Sequence, residues 1–457
     1  MLKLDKKIIF LNSLIAILLS FDSLGYFGIF AISILLIAFN LISYKYAIYT
    51  LLLASIAAYF AGYENINMSS QLIIGPLILV SISKWFSFRN KFNLLIIIPI
   101  LSIYIHSFLF SNNFLFSVLK FSILVSVILL LYELLSKFFY SDERRDLSTL
   151  FEFLNFLFVS LIQFILFGSL IRFITLGMNS LFSVDGYLSL CIRGPIALSV
   201  IISFLLYLKI LISIISQKKF ISLPEWFLIA IAFLTNARGP ILAIGLTYIF
   251  SFGIYRIIKK NIFSLFLLGI FTLLNPTIFS SFILKNYYDG FLSIFKLYEL
   301  SRGALIINQF TNFIENPFTG TGFGIQLTGI IGEFSFPWVQ KFTYLGPLPV
   351  SAPVEKAVLP LVLLEEFGIF LTIFLFFILI IYLLKKKALR KIRINQEITS
   401  KLSQISFASL LYYFLLSLTE LVHFSIFGLG IPLSFSLMLS LLIFNKNQDL
   451  KIKESIN

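Results

Sequence analysis

The chain has 457 residues, of which 59% are hydrophobic and 12% charged, and its mean hydropathy is +1.00. A soluble protein with so few polar side chains could not cover its surface, so the composition predicts a membrane protein with many spans. The net charge of +14 could suggest nucleic-acid binding, but membrane orientation explains it, and no nucleic-acid partner is expected. With one cysteine, Cys191, and two histidines, His106 and His423, an internal disulfide and a Cys- or His-based metal centre are excluded.

Apolar segments long enough to cross a hydrocarbon core of roughly 30 Å recur along the whole chain. About fourteen such segments predict an all-α polytopic membrane protein with about 12–14 transmembrane helices in a single domain, residues 1–457. Alternation from a cytoplasmic N-terminus places both termini in the cytoplasm. The predicted segments are 8–21, 24–43, 46–62, 69–86, 93–110, 114–135, 149–171, 195–216, 221–237, 240–256, 262–281, 357–384, 402–422 and 425–444.

The lysines and arginines follow this alternation. Most of the 35 basic residues, including the run from Lys385 to Arg393, fall on predicted inner loops or ends, whereas the short outer loops hold only Arg172, Arg193 and Arg238. Such sorting is the positive-inside pattern of membrane proteins. It also requires residues 221–256 to form two helices, because a single span there would move the Lys385–Arg393 run outside.

Two predicted outer segments are longer than a connection needs. Residues 172–194 form a moderate loop, and residues 282–356 form a large periplasmic loop, and segments of that length are usually functional or disordered. Within the large loop, the stretch from Asp289 to Ile314 predicts an amphipathic helix near the membrane surface. Asn316-Pro317 ends this helix, and the glycines at positions 320, 322 and 324 predict a tight irregular turn rather than a nucleotide-binding loop.

Three arginines that precede glycine lie on the predicted outer side, in Arg193-Gly194, Arg238-Gly239 and Arg302-Gly303. In the first two pairs a proline follows at the start of a predicted helix. A helix N-terminus attracts anions, and the arginine fork binds phosphate oxygens in a bidentate manner. The three pairs therefore favour a site for an anionic group, with snorkelling of single arginines to the interface as the alternative.

Carboxylates stand at the entry of the span that follows the large loop. Glu355-Lys356 precedes this span, and Glu365-Glu366 lies inside its apolar run, where a carboxylate needs a partner or a water-filled cavity. We interpret Glu355 as the first candidate for accepting a proton or orienting a hydroxyl, with Glu366 also a candidate. A structural ion pair between helices is the alternative. His106, at an outer helix end, is interpreted as an interfacial residue.

Four short motifs resemble the bacterial O-antigen polymerase and O-antigen ligase superfamily. Their order and spacing around one large outer loop carry the resemblance, which covers roughly residues 190 to 370, whereas the N-terminal half matches only as generic membrane helices. The motifs are Leu234 to Ala243 (LTNARGPILA), Arg302-Gly303-Ala304, Glu315 to Gly324 (ENPFTGTGFG) and Glu365 to Gly368 (EEFG).

The resemblance implies a glycosyltransferase with a GT-C-like membrane fold in the bacterial inner membrane. Its donor would be a glycan on undecaprenyl diphosphate, and its product O-antigen, as in lipopolysaccharide, or a related surface polysaccharide. No cofactor or metal is expected, because the lipid diphosphate already activates the donor. A chain-length regulator and a flippase of the same pathway would be partners beside the lipid bilayer. The expected roles are diphosphate or glycan binding for Arg193, Arg238, Arg302 and Lys356, and catalysis for Glu355 and Glu366.

Two other functions are weighed against polymerisation. Ligases of the superfamily carry a histidine just before the helix that follows the large loop, and this chain has Glu355-Lys356 there instead, which favours the polymerase branch. A flippase for lipid-linked oligosaccharides would also have 12–14 spans and buried charges, but such transporters typically consist of two homologous halves and lack a large outer loop. The concentration of polar features in the second half of the chain disfavours transport.

Overall fold

The computed structural model describes residues 6–20, 24–60, 69–85, 94–111, 114–140, 147–182, 188–192, 195–217, 223–235, 238–252, 313–322, 359–389, 396–419 and 430–456. Helices account for 91% of these residues, and no strand occurs among them, as the sequence predicts. The helices are α1 (Lys6–Ser20), α2 (Gly25–Asn40), α3 (Tyr44–Ala57), α4 (Ser69–Trp85), α5 (Leu94–Phe110), α6 (Phe114–Tyr140), α7 (Leu147–Leu176), α8 (Pro195–Ser216), α9 (Leu223–Leu234), α10 (Arg238–Phe252), α11 (Leu359–Leu389), α12 (Gln396–Thr419) and α13 (Gly430–Ile456).

Three of the described segments are long and apolar enough to cross a membrane. They are Phe121–Phe138 in α6, Leu147–Leu176, which is α7, and Ala197–Ser216 in α8. Several shorter helices, such as Ile97–Phe110 and Gly239–Phe252, are also apolar. The described part of the chain therefore contains helices that a membrane protein requires.

Helix α8 lies at the centre of the bundle, with 94% of its apolar segment buried. It contacts α7, α9, α10 and α12. Against α12, the ring of Tyr207 stacks on that of Tyr412 at 4.5 Å between centroids, and the Tyr207 hydroxyl donates to Ser409 Oγ at 2.7 Å. Close packing and interhelical hydrogen bonds of this kind hold helices together where lipid removes the hydrophobic driving force.

One end of the bundle is built around Trp85, and we call it the Trp85 end. The Trp85 indole donates to Asn40 Oδ1 at 3.1 Å, and its ring lies 4.5 Å from that of Tyr44. Lys137 Nζ donates to the Trp85 carbonyl and pairs with Glu133 Oε1 at 3.2 Å. The last turns of α2, α4 and α6 and the first turn of α3 therefore meet here.

The opposite end, which we call the Phe60 end, joins segments that are far apart in the chain. Phe60 follows α3, and a rise of roughly 1.5 Å per helical residue places it about 24 Å from Tyr44 along the axis of that helix. It forms a backbone bridge with Ile192, and the neighbouring Leu188 N–H donates to the Leu234 carbonyl at the end of α9 at 3.2 Å. The first residues of α8 and of α10 consequently lie at this end.

Three lysines of the first half of the chain lie at the Trp85 end. Lys45 Nζ lies 3.8 Å from the centre of the Phe156 ring, and Lys84 Nζ lies 5.8 Å from that of Trp85. Lys137 completes this group. In the predicted alternation of spans all three fall on inner loops or inner helix ends, so the positive-inside pattern predicts that the Trp85 end faces the cytoplasm.

Reporter fusions test this orientation. A reporter fused near Trp338 should be active only in the periplasm, and one fused near Ala388 only in the cytoplasm, because the span between them crosses the membrane once. A pair of reporters with opposite compartment requirements, such as alkaline phosphatase and a fluorescent protein, serves as the internal control. The opposite result at either position would contradict the predicted alternation and with it the outer placement of the arginines.

Each predicted segment that falls on described residues corresponds to one helix, with ends that differ by up to six residues, and the structure departs further from the prediction in two places. The division of residues 221–256 into two helices is confirmed by α9 and α10, whereas segment 262–281 lies outside the described residues. Helix α11 is broken at Gly368, although the sequence predicts a continuous span over 357–384. Helix α13 continues to Ile456, past the predicted end at 444, because hydropathy detects the apolar part of a helix and not its polar extension.

Candidate functional site

Helix α11 consists of two halves, residues 359–367 and 369–389, separated by Gly368. The backbone of Gly368 adopts φ 65° and ψ 178°, a conformation that is essentially restricted to glycine. The Thr372 hydroxyl donates to the Leu363 carbonyl at 2.9 Å, although these residues are nine positions apart. In a straight helix they would be separated by about 13 Å along the axis, so the two halves meet at a sharp bend.

A turn of the large loop, residues 316–322, fills this break, and we call it the docked turn. In a continuous helix the carbonyls of Glu365 and Glu366 would accept hydrogen bonds from amides four residues later. Here the docked turn supplies the missing partners on both sides of the break. Its backbone bonds, each 2.9 Å long, run from Thr321 N to Glu365 O, from Gly322 N to Glu366 O and from Ile369 N to Pro317 O.

The break and the docked turn stabilise each other. A buried backbone amide or carbonyl without a partner costs several kcal/mol, so the docked turn supplies hydrogen bonds that the buried break in α11 requires. The Thr321 hydroxyl adds a hydrogen bond to the Glu365 carbonyl at 3.2 Å, and the ring of Phe318 stacks on that of Phe370 with centroids 5.4 Å apart. A piece of the predicted large loop therefore completes the hydrogen bonding of the α11 helix.

Two glycines permit this close approach. Gly320 has φ 65°, and a Cβ built on it would lie 2.5 Å from the Glu366 carbonyl and 2.5 Å from Gly368 N. A Cβ on Gly368 would in turn overlap the carbonyl of Phe318. The tight turn predicted from the glycines is confirmed for residues 316–322, and its conformation permits the contact between two backbones.

Alanine at Gly368 or Gly320 should therefore destabilise the protein. The positive φ alone costs about 1–3 kcal/mol for a residue with a side chain, and the overlap with rigid backbone adds to this. We expect a clearly lower midpoint in thermal unfolding of the purified protein in detergent. Gly245→Ala is the matched control, because nothing lies within 4 Å of a Cβ there and alanine favours a helix. Equal stability of Gly368→Ala and Gly245→Ala would contradict the docked arrangement.

The two glutamates beside the break are buried. Only 2% of Glu365 and 1% of Glu366 is exposed, and the adjacent Phe367 packs against Phe121 and Val125 of α6. A carboxylate that a membrane protein buries in apolar surroundings is a functional-site hypothesis by default. At this position a carboxylate can orient a hydroxyl group or accept its proton.

His106 is also part of this site, and its interpretation as an interfacial residue is wrong. It is only 7% exposed, its Nε2–H donates to the Thr319 carbonyl at 2.5 Å, and its ring meets the Phe367 ring edge to face at 5.6 Å. The local sequence shows only a histidine near a helix end. Its partner Thr319 follows 213 positions later, and no periodicity connects two such distant segments.

The site lies at the Phe60 end. Phe121, which packs under the break, precedes Lys137 in α6 by about 24 Å at roughly 1.5 Å per residue. Because Lys137 lies at the Trp85 end, the docked turn belongs to the opposite end of the bundle. The first residues of α8 and α10 lie at this same end.

Of the other predicted site residues, the structure describes only the backbone of Arg238. Arg193, Arg302, Glu355 and Lys356 lie outside the described residues. Arg238 is the first residue of α10, so its backbone is at the Phe60 end, while its side chain is outside the description. Arg193 falls between Ile192 and Pro195, which begins α8, and both neighbours belong to the Phe60 end.

A comparison with protein-family models, with the curated proteins and with the solved structures found no match for this chain. Among the described residues, no group of three or more His, Cys, Asp or Glu side chains could hold a metal ion. The function is therefore argued from the chemistry of the site.

Proposed function

We propose that this protein is a membrane glycosyltransferase that polymerises undecaprenyl-diphosphate-linked oligosaccharide repeat units into O-antigen or a related surface polysaccharide. The reaction would take place at the periplasmic face of the bacterial inner membrane, with both termini in the cytoplasm. The observation that carries the proposal is the contact between the docked turn and the break in α11. It joins two of the motifs on which the resemblance to the O-antigen polymerase and ligase superfamily rests, beside the buried Glu365 and Glu366.

The proposed reaction needs a base and an anion site. A hydroxyl oxygen of the acceptor glycan attacks the anomeric carbon of the donor glycan, and the bond from that carbon to the diphosphate oxygen breaks. Undecaprenyl diphosphate leaves with the electron pair, and the hydroxyl proton passes to a carboxylate. The buried Glu366 is the carboxylate that we propose for this step, and Glu355 remains the other candidate.

The leaving diphosphate gains negative charge as the bond breaks, and fixed cationic donors are suited to stabilise it. Arg193 and Arg238 adjoin the first turns of α8 and α10, whose free N–H groups favour anions. Arg302 and Lys356 belong to the same proposed set, from the large loop. The donor carries its own activating group, so the proposal needs no cofactor, and a chain-length regulator and a flippase would work beside the enzyme.

One observation favours a second candidate, a flippase for lipid-linked oligosaccharides. Broken transmembrane helices line the substrate sites of many transporters, and α11 is broken at Gly368. In transporters, however, the unwound backbone faces the substrate, whereas here the docked turn occupies the hydrogen bonds of the break. Polymerisation remains the first proposal, and ligation of the glycan to the lipid A core is the third function to distinguish.

The surface glycans of a deletion strain separate these functions. Loss of a polymerase should leave surface lipid capped with a single repeat unit in place of a ladder of chain lengths. Loss of a ligase should leave surface lipid without repeat units, and loss of a flippase should trap lipid-linked units on the cytoplasmic side. Complementation with the intact gene controls for effects on neighbouring genes. A full ladder in the deletion strain would contradict the proposal.

A further inference from the structure

We propose that His106 is a positioning residue that fastens the docked turn to α5 and so holds Glu366 at its working position. The part of this inference that concerns turnover rests on the proposed function. The part that concerns the attachment of the docked turn stands on the structure alone. His106 belongs to the N-terminal half of the chain, which the resemblance to a known family does not cover.

The hydrogen bond of His106 has a defined direction. A backbone carbonyl only accepts, so the Nε2 atom that contacts the Thr319 carbonyl must carry the proton. The bond is buried, where leaving the Thr319 carbonyl without a partner would be unfavourable. His106 thus contributes a hydrogen-bond donor for the Thr319 carbonyl in addition to the volume of its ring.

The imidazole ring of His106 contacts both the docked turn and α11. Thr319 belongs to the docked turn and is followed by Gly320 and Thr321, which contact α11. On the α11 side, the ring packs edge to face on Phe367, the residue between Glu366 and the break. His106 therefore holds the docked turn and the broken helix in one contact.

Helix α5 contacts the docked turn at a second point. A Cβ built on Gly322 would lie 2.5 Å from Cβ of Ser111, the residue that follows α5. Gly322 N is also the donor to the Glu366 carbonyl. The end of α5 thus packs against the docked turn, and His106 donates the hydrogen bond between them.

Loss of the contact between α5 and the docked turn should lower turnover by displacing Glu366. Without the bond to His106, the docked turn would dissociate more often, and the carbonyls of Glu365 and Glu366 would lose their partners. A displacement of about 1 Å in a catalytic group can lower the rate about 10²-fold. A positioning role therefore predicts a change in turnover together with a change in the exposure of the docked turn.

The exposure is measured first, with a cysteine in place of the buried Thr321. The background is Cys191→Ala, which removes the single native cysteine. In membranes, a membrane-impermeant maleimide should label Thr321→Cys slowly when His106 is present and at least about tenfold faster with His106→Leu. His106→Gln should restore slow labelling, because its amide N–H can replace Nε2–H. Ile105→Ala, on the exposed face of the same helix, is the matched control and should leave labelling slow.

Turnover of lipid-linked repeat units is measured with the same His106 variants. These variants keep Thr321 in place of the introduced cysteine. His106→Leu should lower kcat about 10²-fold with little change in the KM for the lipid-linked unit, and His106→Gln should recover most of the rate. His106→Asn, which is too short to reach Thr319, should behave like His106→Leu and replaces it if that variant does not insert.

Each outcome decides the inference. Unchanged labelling in His106→Leu and His106→Asn would show that His106 does not hold the docked turn. Faster labelling with unchanged kcat would overturn the positioning role. If the intact protein forms no polymer, the proposed function fails, and the labelling result alone then decides whether His106 holds the docked turn.

Discussion

Glu366→Gln is expected to lower polymerisation about 10²–10⁴-fold, which is the usual contribution of one acid–base contact. Glutamine keeps the shape and most of the hydrogen-bonding capacity of the buried side chain, so the amount of folded protein in the membrane should be unchanged. Binding of the lipid-linked unit should also survive, because the arginines and not the carboxylate are assigned to the diphosphate. The rate of chain extension and the affinity for the lipid-linked unit are measured on the same purified variant.

Glu365→Gln and Glu355→Gln are the matched comparisons. Glu365 is equally buried and adjacent, so it controls for the loss of one charge at this depth. If Glu355→Gln is inactive while Glu366→Gln extends chains normally, the base lies at the entry of the span, and Glu366 is a structural residue of the break.

Arg238→Ala and Arg302→Ala should each lower polymerisation about 10²–10³-fold, the typical effect of removing one fixed donor from a charge-stabilising site. The effect should appear in the affinity for the lipid-linked unit as well as in the rate, because the diphosphate is charged before the reaction and gains charge during it. Arg193→Ala should act in the same direction. Glycan ladders and the level of each variant in the membrane are compared with those of the unmodified protein.

Lysine substitutions and one further arginine control this interpretation. Arg→Lys should rescue poorly at positions 238 and 302 if two phosphate oxygens are bound by the planar fork, since an ammonium group is a point charge. Arg172, whose Nε donates to the Ser180 carbonyl at 2.8 Å, has a structural partner, and Arg172→Ala should retain activity. Full activity of both Arg238→Ala and Arg302→Ala would favour snorkelling of these arginines to the interface.

Features that depend on local pattern could be predicted from the sequence. The apolar segments predict the helices, and the sorting of the basic residues predicts that Lys45, Lys84 and Lys137 share one end. The same sorting requires the separation of α9 from α10, which the structure confirms. These predictions succeed because hydropathy and charge act over one span at a time.

The candidate site could be predicted only in part, because it depends on contacts between distant segments. The sequence indicates a turn at the glycines near 320 and a buried carboxylate at Glu366, but not that the turn completes the backbone hydrogen bonds of α11. Gly368 stands in a long apolar run, where hydropathy predicts a continuous helix. Its positive φ becomes possible because the docked turn satisfies the carbonyls that the break exposes. His106 was misinterpreted for the same reason, since its partner is in the large loop.

Polymerisation by the purified protein is the most direct test of the proposed function. The deletion strain should accumulate the lipid-linked repeat units that serve as substrate, and these can be extracted and added to the protein in liposomes. The proposed function predicts a ladder of longer glycans and the release of undecaprenyl diphosphate, both strongly reduced in Glu366→Gln. Repeat units that stay at their original length with the intact, folded protein, or that cross the bilayer without being joined, would contradict it.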